Sequence, residues 1–494
     1  MILQQFYLAC LSQASYLVAD EASRRAVVVD PRRDVSEYLD VTQQLNLSID
    51  LVVLTHVHAD FVPGHSELAA QTGAEVGMGM AAPVSFPIRR LADGERIHLG
   101  DPHDGVMIEV LATPGHTPES ITLAVYEHAR DAAPAAVLTG DTLFLGDVGR
   151  PDLLGSAGHT AQEMARELYR SLRTRILPLP DEVLVYPGHG AGSACGKSLS
   201  SQTVSTLGQQ RAVNYALAPM SEDEFVTTVI EGLPEPPAYF AEEVTLNRAG
   251  HDAFDPDAAI PEIPAAEAVH RAEDGVLLLD VRDDQAFAAG HLRGAVNVGL
   301  SGRFAEYAAA VHAPQQPVIL IGNAGEAAEA RLRLARVGID TVAGAVTDLD
   351  ALIAQPELTS TQSRLTSRQA AERIASVADL QVVDVRGPGE FAGGALPGAV
   401  NLPLPRLREL MPTLDPSRPV LVNCAGGYRS IAAASLLAAN GFADVSDLIG
   451  GWNAWQSEPD TARTGHPHAP RPVLVEPGDP TSQELLDIER AERL

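Results

Sequence analysis

The stretch THVHADF at 55–61 sets His56, His58 and Asp60 on alternate positions. Alternate side chains of extended backbone share a face, so three nitrogen and carboxylate donors converge on one point. His116 in TPGHTPES, Asp141 in TGDTLF and His189 in YPGHG repeat the theme, each behind an apolar run. A lone histidine is more often structural, but six such residues at strand ends are hard to place in a core, and imidazole with carboxylate suits a transition metal. A different chemistry is offered by CAGGYRS, Cys424 to Ser430, between the apolar run PVLVN and the helical run SIAAASLLAANGF. A thiol there faces backbone N–H groups and the positive end of a helix, which stabilise an anionic sulfur. The glycines let the loop curl, and Arg429 can hold an anionic donor or acceptor.

A third candidate is AGSACGKS, 191–198. It fits a relaxed phosphate-loop pattern, but it starts two residues after His189 and lacks the strand order of a nucleotide-binding domain. Cys195 is the more useful residue. Lys197, the single lysine beside 34 arginines, stands two positions on, and an ammonium nearby would favour a thiolate. The expectation is that Cys195 carries sulfur near the metal or that its loop, with Lys197, binds substrate; the competing reading is a structural buried thiol.

The elements that must position these groups follow from hydrophobic pattern. To about residue 215, apolar runs (AVVVD, DLVVLTH, VMIEVLATPGH, AAVLTGD, EVLVYPGH) alternate with helical stretches, and each run ends on His or Asp. This predicts a layered α/β domain over 1–215 with its polar site at strand ends. Residues 216–262, rich in Pro and Glu, read as an extended surface linker. DVRDDQAFAAGHLRGAVN (280–297) and DVRGPGEFAGGALPGAVN (384–401) are identical at 11 of 18 positions. That repeat predicts two α/β domains, 263–355 and 363–460, each with a helix, a buried strand, and a second strand (PVILIG, PVLVNC) leading into a helix. In the first copy PVILIG runs into NAGEAAEA, with Gly322 or Asn323 where the thiol should be and Glu326 adding negative charge; no cysteine lies between Cys195 and Cys424. The tail, 463–494, is assigned no chemistry.

Composition bounds the partners. At 494 residues and 45% hydrophobic content the chain has material for several packed domains. A formal charge of -30 repels phosphate backbones and anionic lipid, so neither nucleic acid nor membrane is expected. The first basic residue is Arg24 and no apolar run approaches membrane-spanning length, so a cytoplasmic location is the expectation. Three cysteines, Cys10, Cys195 and Cys424, form no disulfide framework.

Through THVHAD, TPGHTPES, TGDTLF and YPGHG, in order and spacing, residues 1–215 resemble the metallo-β-lactamase superfamily, specifically its glyoxalase II and persulfide dioxygenase branch. The resemblance implies a four-layer αββα fold. In the hydrolases, residues matching His56, His58, His116 and Asp141 serve one metal, and those matching Asp60, the next residue, Asp141 and His189 a second. That next residue is histidine in the hydrolase pattern and Phe61 here, so one metal is favoured over two. His65, at i+4 from Phe61, is a candidate to restore the ligand. In the dioxygenases a single Fe(II) is held by residues matching His56, His116 and Asp141, leaving positions for O2 and a substrate sulfur; His58, Asp60 and His189 would orient ligands or substrate from behind. GDVGRPDL continues the likeness, making Arg150 the candidate for holding an anionic substrate, against an ion pair with Asp152.

With DVR, Glu390, LPGAVNLPL and the C-x-x-G-x-R loop, residues 363–460 resemble the rhodanese family, although Ala395 stands where many relatives have histidine. This implies sulfur transfer through a Cys424 persulfide; residues 263–355 look like a catalytically dead copy serving as spacer or docking surface. Together the resemblances imply an Fe(II) persulfide dioxygenase that oxidises a low-molecular-weight thiol persulfide with O2 to sulfite, with rhodanese transfer giving thiosulfate. The alternatives are a binuclear zinc thioester hydrolase of glyoxalase II type with a passenger rhodanese, and a persulfide sensor or scaffold without turnover. The thiol carrier, the direction of the transfer and the oligomeric state, homo-oligomer included, are left open.

Overall fold

The computed structural model describes residues 1–153, 158–197, 199–233, 235–349 and 355–458, and the expected tail at 463–494 lies outside them. Met1–Pro236 with Phe240–Pro256 form one compact unit; Pro237–Tyr239 and the described residues from Asp257 onward belong to another. No helix among the described residues is long and apolar enough to cross a membrane.

The first unit is an αββα sandwich of two six-stranded sheets. One runs in chain order from Ile2–Leu8 to Arg89–Leu91; the other is ordered Ser205–Thr206, Leu184–Pro187, Ala136–Gly140, Ile121–Tyr126, Met107–Ala112, Arg96–His98. Period-two alternation sorts the side chains. Tyr16, Val18, Val27, Val29, Leu51 and Val53 meet Ile108, Val110, Leu123, Val125 and Leu138 between the sheets. Their neighbours Leu17, Ala26, Val28 and Val52 face the other way, with Tyr38 of helix Ser36–Gln44 and Leu68 of helix His65–Thr72. Ala124, Val137 and Val185 of the second sheet likewise pack with Leu168 of helix Ala161–Ser171 and Phe225 of helix Glu222–Ile230.

Residues 216–262 are not the extended linker expected. They carry helices Glu222–Ile230 and Phe240–Ala249. Ser221 and Glu224 form a capping box, and three acidic residues occupy the first turn, where the helix dipole favours them. The acidic character read as solvated linker is therefore a helix start. Phe225, Val226 and Val229 are buried on this helix, and the Phe225 ring lies 5.4 Å from that of Tyr169.

The second unit contains the repeat as two fully parallel sheets. The first copy is ordered Ala295–Asn297, Leu277–Asp280, Val318–Ile321, Val342–Val346; the second Ser363–Leu365, Val445–Leu448, Val420–Asn423, Gln381–Asp384, Ala399–Asn401. The identities between the copies are structural. Arg282 pairs with Asp280 at 2.6 Å and Arg386 with Asp384 at 2.7 Å. Asn297 donates to the Asp280 and Arg282 carbonyls, as Asn401 does to those of Asp384 and Arg386. Each DVR and GAVN pair ties one edge strand to its neighbour.

Candidate functional site

The metal-type residues stand on loops at one end of the sandwich: His56, His58 and Asp60 after Ser48–Leu54, His116 after Met107–Ala112, Asp141 after Ala136–Gly140, and His189 after Leu184–Pro187. The sheets are joined there by Ile121 N donating to Thr55 O at 2.9 Å, and Gly188 N donates to Gly140 O at 2.8 Å. Close approach requires glycine: a Cβ on Gly188 would stand 2.5 Å from Asp141 Oδ1.

Within this frame Nε2 of His56, Nε2 of His116 and a carboxylate oxygen of Asp141 lie within 4.8 Å of one another. Asp141 Oδ2 is 3.5 Å from His116 Nε2 and 3.9 Å from His56 Nε2, and all three side chains are at most 1% exposed. Each imidazole is aimed by its other nitrogen. His116 Nδ1 donates to the Arg150 carbonyl at 2.9 Å, and His56 Nδ1 to Thr55 Oγ1 at 2.9 Å, which in turn donates to Asp30 at 2.8 Å. His56 Nε2 and both Asp141 oxygens are buried without a hydrogen-bond partner among the described residues. Buried unpaired acceptors converging on one point are what a cation would satisfy, so the donor set fits a metal.

His56 and His58 differ in character. Burial, then the neighbouring His58, His116 and His189, push the His56 ring well below the usual imidazole range, so it stays neutral as a ligand must. Burial also opposes charge on His58, but Asp30, 3.0 Å from its Nε2, prevails with Asp60 and Asp141 and raises it. A ring biased toward its charged form is the poorer ligand and the better orienting group.

A second group gathers beside the first: Asp60, His189 and Cys195 also bring donor atoms within 4.8 Å. His189 Nε2 is 3.3 Å from Asp60 Oδ2 and 3.6 Å from Asp141 Oδ1, while its Nδ1 donates to the Ser12 carbonyl at 3.2 Å. The fully buried Phe61 ring lies 4.3 Å from His58. His65 does not replace it. His65 Nδ1 donates to the Pro63 carbonyl, and its ring sits 4.9 Å from Phe86 and 5.0 Å from His251.

Two substrate-binding expectations are corrected. Arg150 is fully buried and bidentate on Asp152, at 2.7 and 2.9 Å, with a third bond to the Ala194 carbonyl; it braces the Cys195 loop. Lys197 turns its ammonium to the Thr228 and Glu231 carbonyls at the C-terminus of helix Glu222–Ile230, where unpaired carbonyls attract a cation. Nor is Cys195 biased toward thiolate: burial first, then Asp60 and Asp141, push its thiol well above the ordinary range. Asp60, Asp141 and the Arg150 guanidinium, not an ammonium, are its charged neighbours, and the carboxylates prevail.

Three contributors escaped sequence reading. Asp30 accepts from Thr55 N, Thr55 Oγ1 and His58, and Glu119 accepts from Val57 N at 2.9 Å. Asn247, on helix Phe240–Ala249, donates to the carbonyls of both His58 and Phe61 at 2.9 Å. AVVVD hinted at Asp30; nothing local signalled Asn247.

In the second unit Cys424 is buried directly after strand Val420–Asn423. Gly427 N donates to its Sγ at 3.1 Å, and Ser430 Oγ lies 3.5 Å away. Gly427 has φ 102°, a conformation that favours glycine, and a Cβ there would meet Gly450 N at 3.0 Å. Arg429 is bidentate on Glu390, both bonds 2.8 Å. Among the described residues the first copy has no thiol at the matching position. Asp280 pairs with Ile321 as Asp384 pairs with Asn423, so Gly322, not Asn323, holds the thiol position. Its helix Ala324–Ala335 begins two residues on, and Glu326 returns a carboxylate to Asn323 N at 2.7 Å, filling the helix end where an anion would bind.

Comparison with known proteins agrees with this architecture. The metallo-beta-lactamase superfamily model matches residues 8–189, and the rhodanese-like domain model matches 264–347 and 366–458. A crystal structure of a metallo-beta-lactamase from Staphylococcus aureus subsp. aureus COL is 32% identical, with a TM-score of 0.62, over 70% of this chain and 98% of that one. Human mitochondrial persulfide dioxygenase ETHE1 is 28% identical over 48% of this chain and 84% of its own. The hydroxyacylglutathione hydrolase GloC of Haemophilus influenzae is also 28% identical, over 36% of this chain and 86% of its own. The chain belongs to the metallo-β-lactamase superfamily and carries two rhodanese-like domains behind its metallo-β-lactamase domain.

Proposed function

We propose that the chain is a non-haem Fe(II) persulfide dioxygenase whose second rhodanese-like domain transfers sulfane sulfur through Cys424. The observation that carries this reading is the pairing of two imidazoles with one carboxylate, His56, His116 and Asp141, around buried unpaired acceptors, beside the apolar Phe61 wall. Such a face leaves coordination positions open, and Fe(II) held there supplies the chemistry for oxidising a thiol persulfide with O2. The chain's own groups do the rest. Asp30 and Thr55 orient His58 and His56, the Arg150 carbonyl orients His116, and Phe61 narrows the site on one side. Cys195, beside Asp60 and His189, is the candidate to contact or carry substrate sulfur.

At Cys424 a persulfide anion gives its outer sulfur to sulfite: the new S–S bond makes thiosulfate, and the broken bond's electron pair returns to Cys424 as thiolate. A second reading, a binuclear zinc hydrolase of glyoxalase II type, is favoured by one observation, the Asp60, His189 and Cys195 group.

Metal analysis of anaerobically purified protein, with oxygen uptake on glutathione persulfide, tests the two. The dioxygenase reading expects about one equivalent of iron, lost together with oxygen uptake in His116→Ala. Two equivalents of zinc with thioester hydrolysis would overturn it. Cys424→Ser should abolish sulfur transfer and release sulfite early in turnover while oxygen uptake persists.

A further inference from the structure

The cysteine-less copy is read from sequence as a spacer or docking surface. Its helix Phe304–Val311 nevertheless lies against the Cys424 loop of the second copy, within the same compact unit. The Tyr307 ring sits 5.2 Å from the ring of Tyr428. Tyr428 follows Gly427, whose N–H donates to Cys424 Sγ, and precedes Arg429. The Tyr428 hydroxyl in turn donates to the Gly299 carbonyl of the first copy. Tyr307, Arg429 and Cys424 lie close enough to act electrostatically on one another, and Arg303 and Glu306 act on Tyr307 as well.

The charges around this site are already paired. Arg429 is bidentate on Glu390, and Arg303 Nε donates to Glu306 at 2.9 Å. An arriving anion therefore meets guanidiniums that each have a carboxylate. The group with capacity to spare is the Tyr307 hydroxyl, which has no hydrogen-bond partner among the described residues. Burial, foremost, raises its pKa above the ordinary phenol value, so it remains a donor at physiological pH.

We propose that Tyr307, supplied by the inactive copy, is a substrate-contacting and specificity-determining residue of the active copy, its hydroxyl donating to a sulfonate oxygen of thiosulfate or to sulfite at Cys424. The proposal rests on the sulfur-transfer reading of Cys424. In the thiosulfate direction a bond forms between Cys424 Sγ and the outer sulfur as the S–S bond of thiosulfate breaks. The electron pair leaves on sulfite, so a thiolate and thiosulfate become a persulfide anion and sulfite. The Tyr307 bond favours donors and acceptors with oxygens on the sulfur next to the one transferred over organic persulfides, in which that sulfur carries carbon.

The test uses full-length protein and Tyr307→Phe, which keeps the ring. Thiosulfate-to-cyanide transfer gives KM and kcat, and alkylation of Cys424 by neutral iodoacetamide, with and without sulfite, gives a readout independent of turnover. Loss of one hydrogen bond to an anion should raise both the thiosulfate KM and the sulfite concentration for half-protection about tenfold, with unprotected alkylation within about twofold of the parent. Equal KM and equal protection in an active variant would overturn the role of Tyr307 alone. A parent protein that neither transfers sulfur from thiosulfate nor shows sulfite protection would overturn the Cys424 reading, and this proposal with it.

Discussion

Asn247→Ala should loosen the metal loop from a helix that the sequence presents as part of a linker. The Asn247 amide donates to the carbonyls of His58 and Phe61, both at 2.9 Å, and the residue is 4% exposed. Alanine removes both bonds and leaves two carbonyl oxygens dry. At about 1–1.5 kcal/mol per bond the loss is roughly 2–3 kcal/mol. If that energy is spent in local opening, amides across 51–62 should exchange about 30- to 160-fold faster, at 1.36 kcal/mol per tenfold. Hydrogen exchange by mass spectrometry reads those peptides directly, with peptides over Val420–Asn423 in the other unit as the unchanged control. Metal retention against a chelator should fall in parallel, since His56 and Asp60 ride on the same loop. Exchange within about threefold of the parent, with metal retention intact, would show that the helix does not brace the site.

Gly188→Ala places a Cβ 2.5 Å from Asp141 Oδ1 and should weaken metal affinity about 10- to 100-fold in a chelator competition; unchanged affinity would mean the carboxylate is not where the metal binds. Lys197→Met removes the cation on the Thr228 and Glu231 carbonyls and should cost about 0.3–1 kcal/mol of stability without changing the KM for the proposed persulfide substrate; the reverse pattern would return Lys197 to substrate binding. Burial alone would raise the Glu390 carboxyl, but Arg429 brings it below the ordinary glutamate value. A depressed carboxylate contributes stability above the unfolded value, about 4.3, and loses it as pH falls through the folded one. The stability gap between parent and Glu390→Gln should therefore close below about pH 4, followed by fluorescence of Trp452 and Trp455; a gap constant down to acid pH would contradict the pairing.

The sequence by itself determined the chemistry-bearing residues and the layers beneath them. Alternation in runs such as LVVLT and IEVLA specifies which side chains enter the sandwich, and strand ends place His56, His116, Asp141 and His189 at one edge, because period-two burial leaves little choice of register. The C-x-x-G-x-R loop and the repeat were equally legible, since a tight loop before a helix and a recurring edge-strand lock depend on neighbours in the chain. Tertiary structure decided what depends on partners far apart in sequence. Whether Arg150 and Lys197 were free or engaged turned on Asp152 and on the end of helix Glu222–Ile230. The state of the Cys195 thiol turned on its burial, then on Asp60 and Asp141, rather than on the lysine beside it. Asn247 and Tyr307 carry no motif at all: a hydrogen bond across 189 residues and a ring contact between two copies of a repeat exist only once the chain has packed. Short-range pattern names the groups that can react; their charge state and their partners are set by whatever the fold buries beside them.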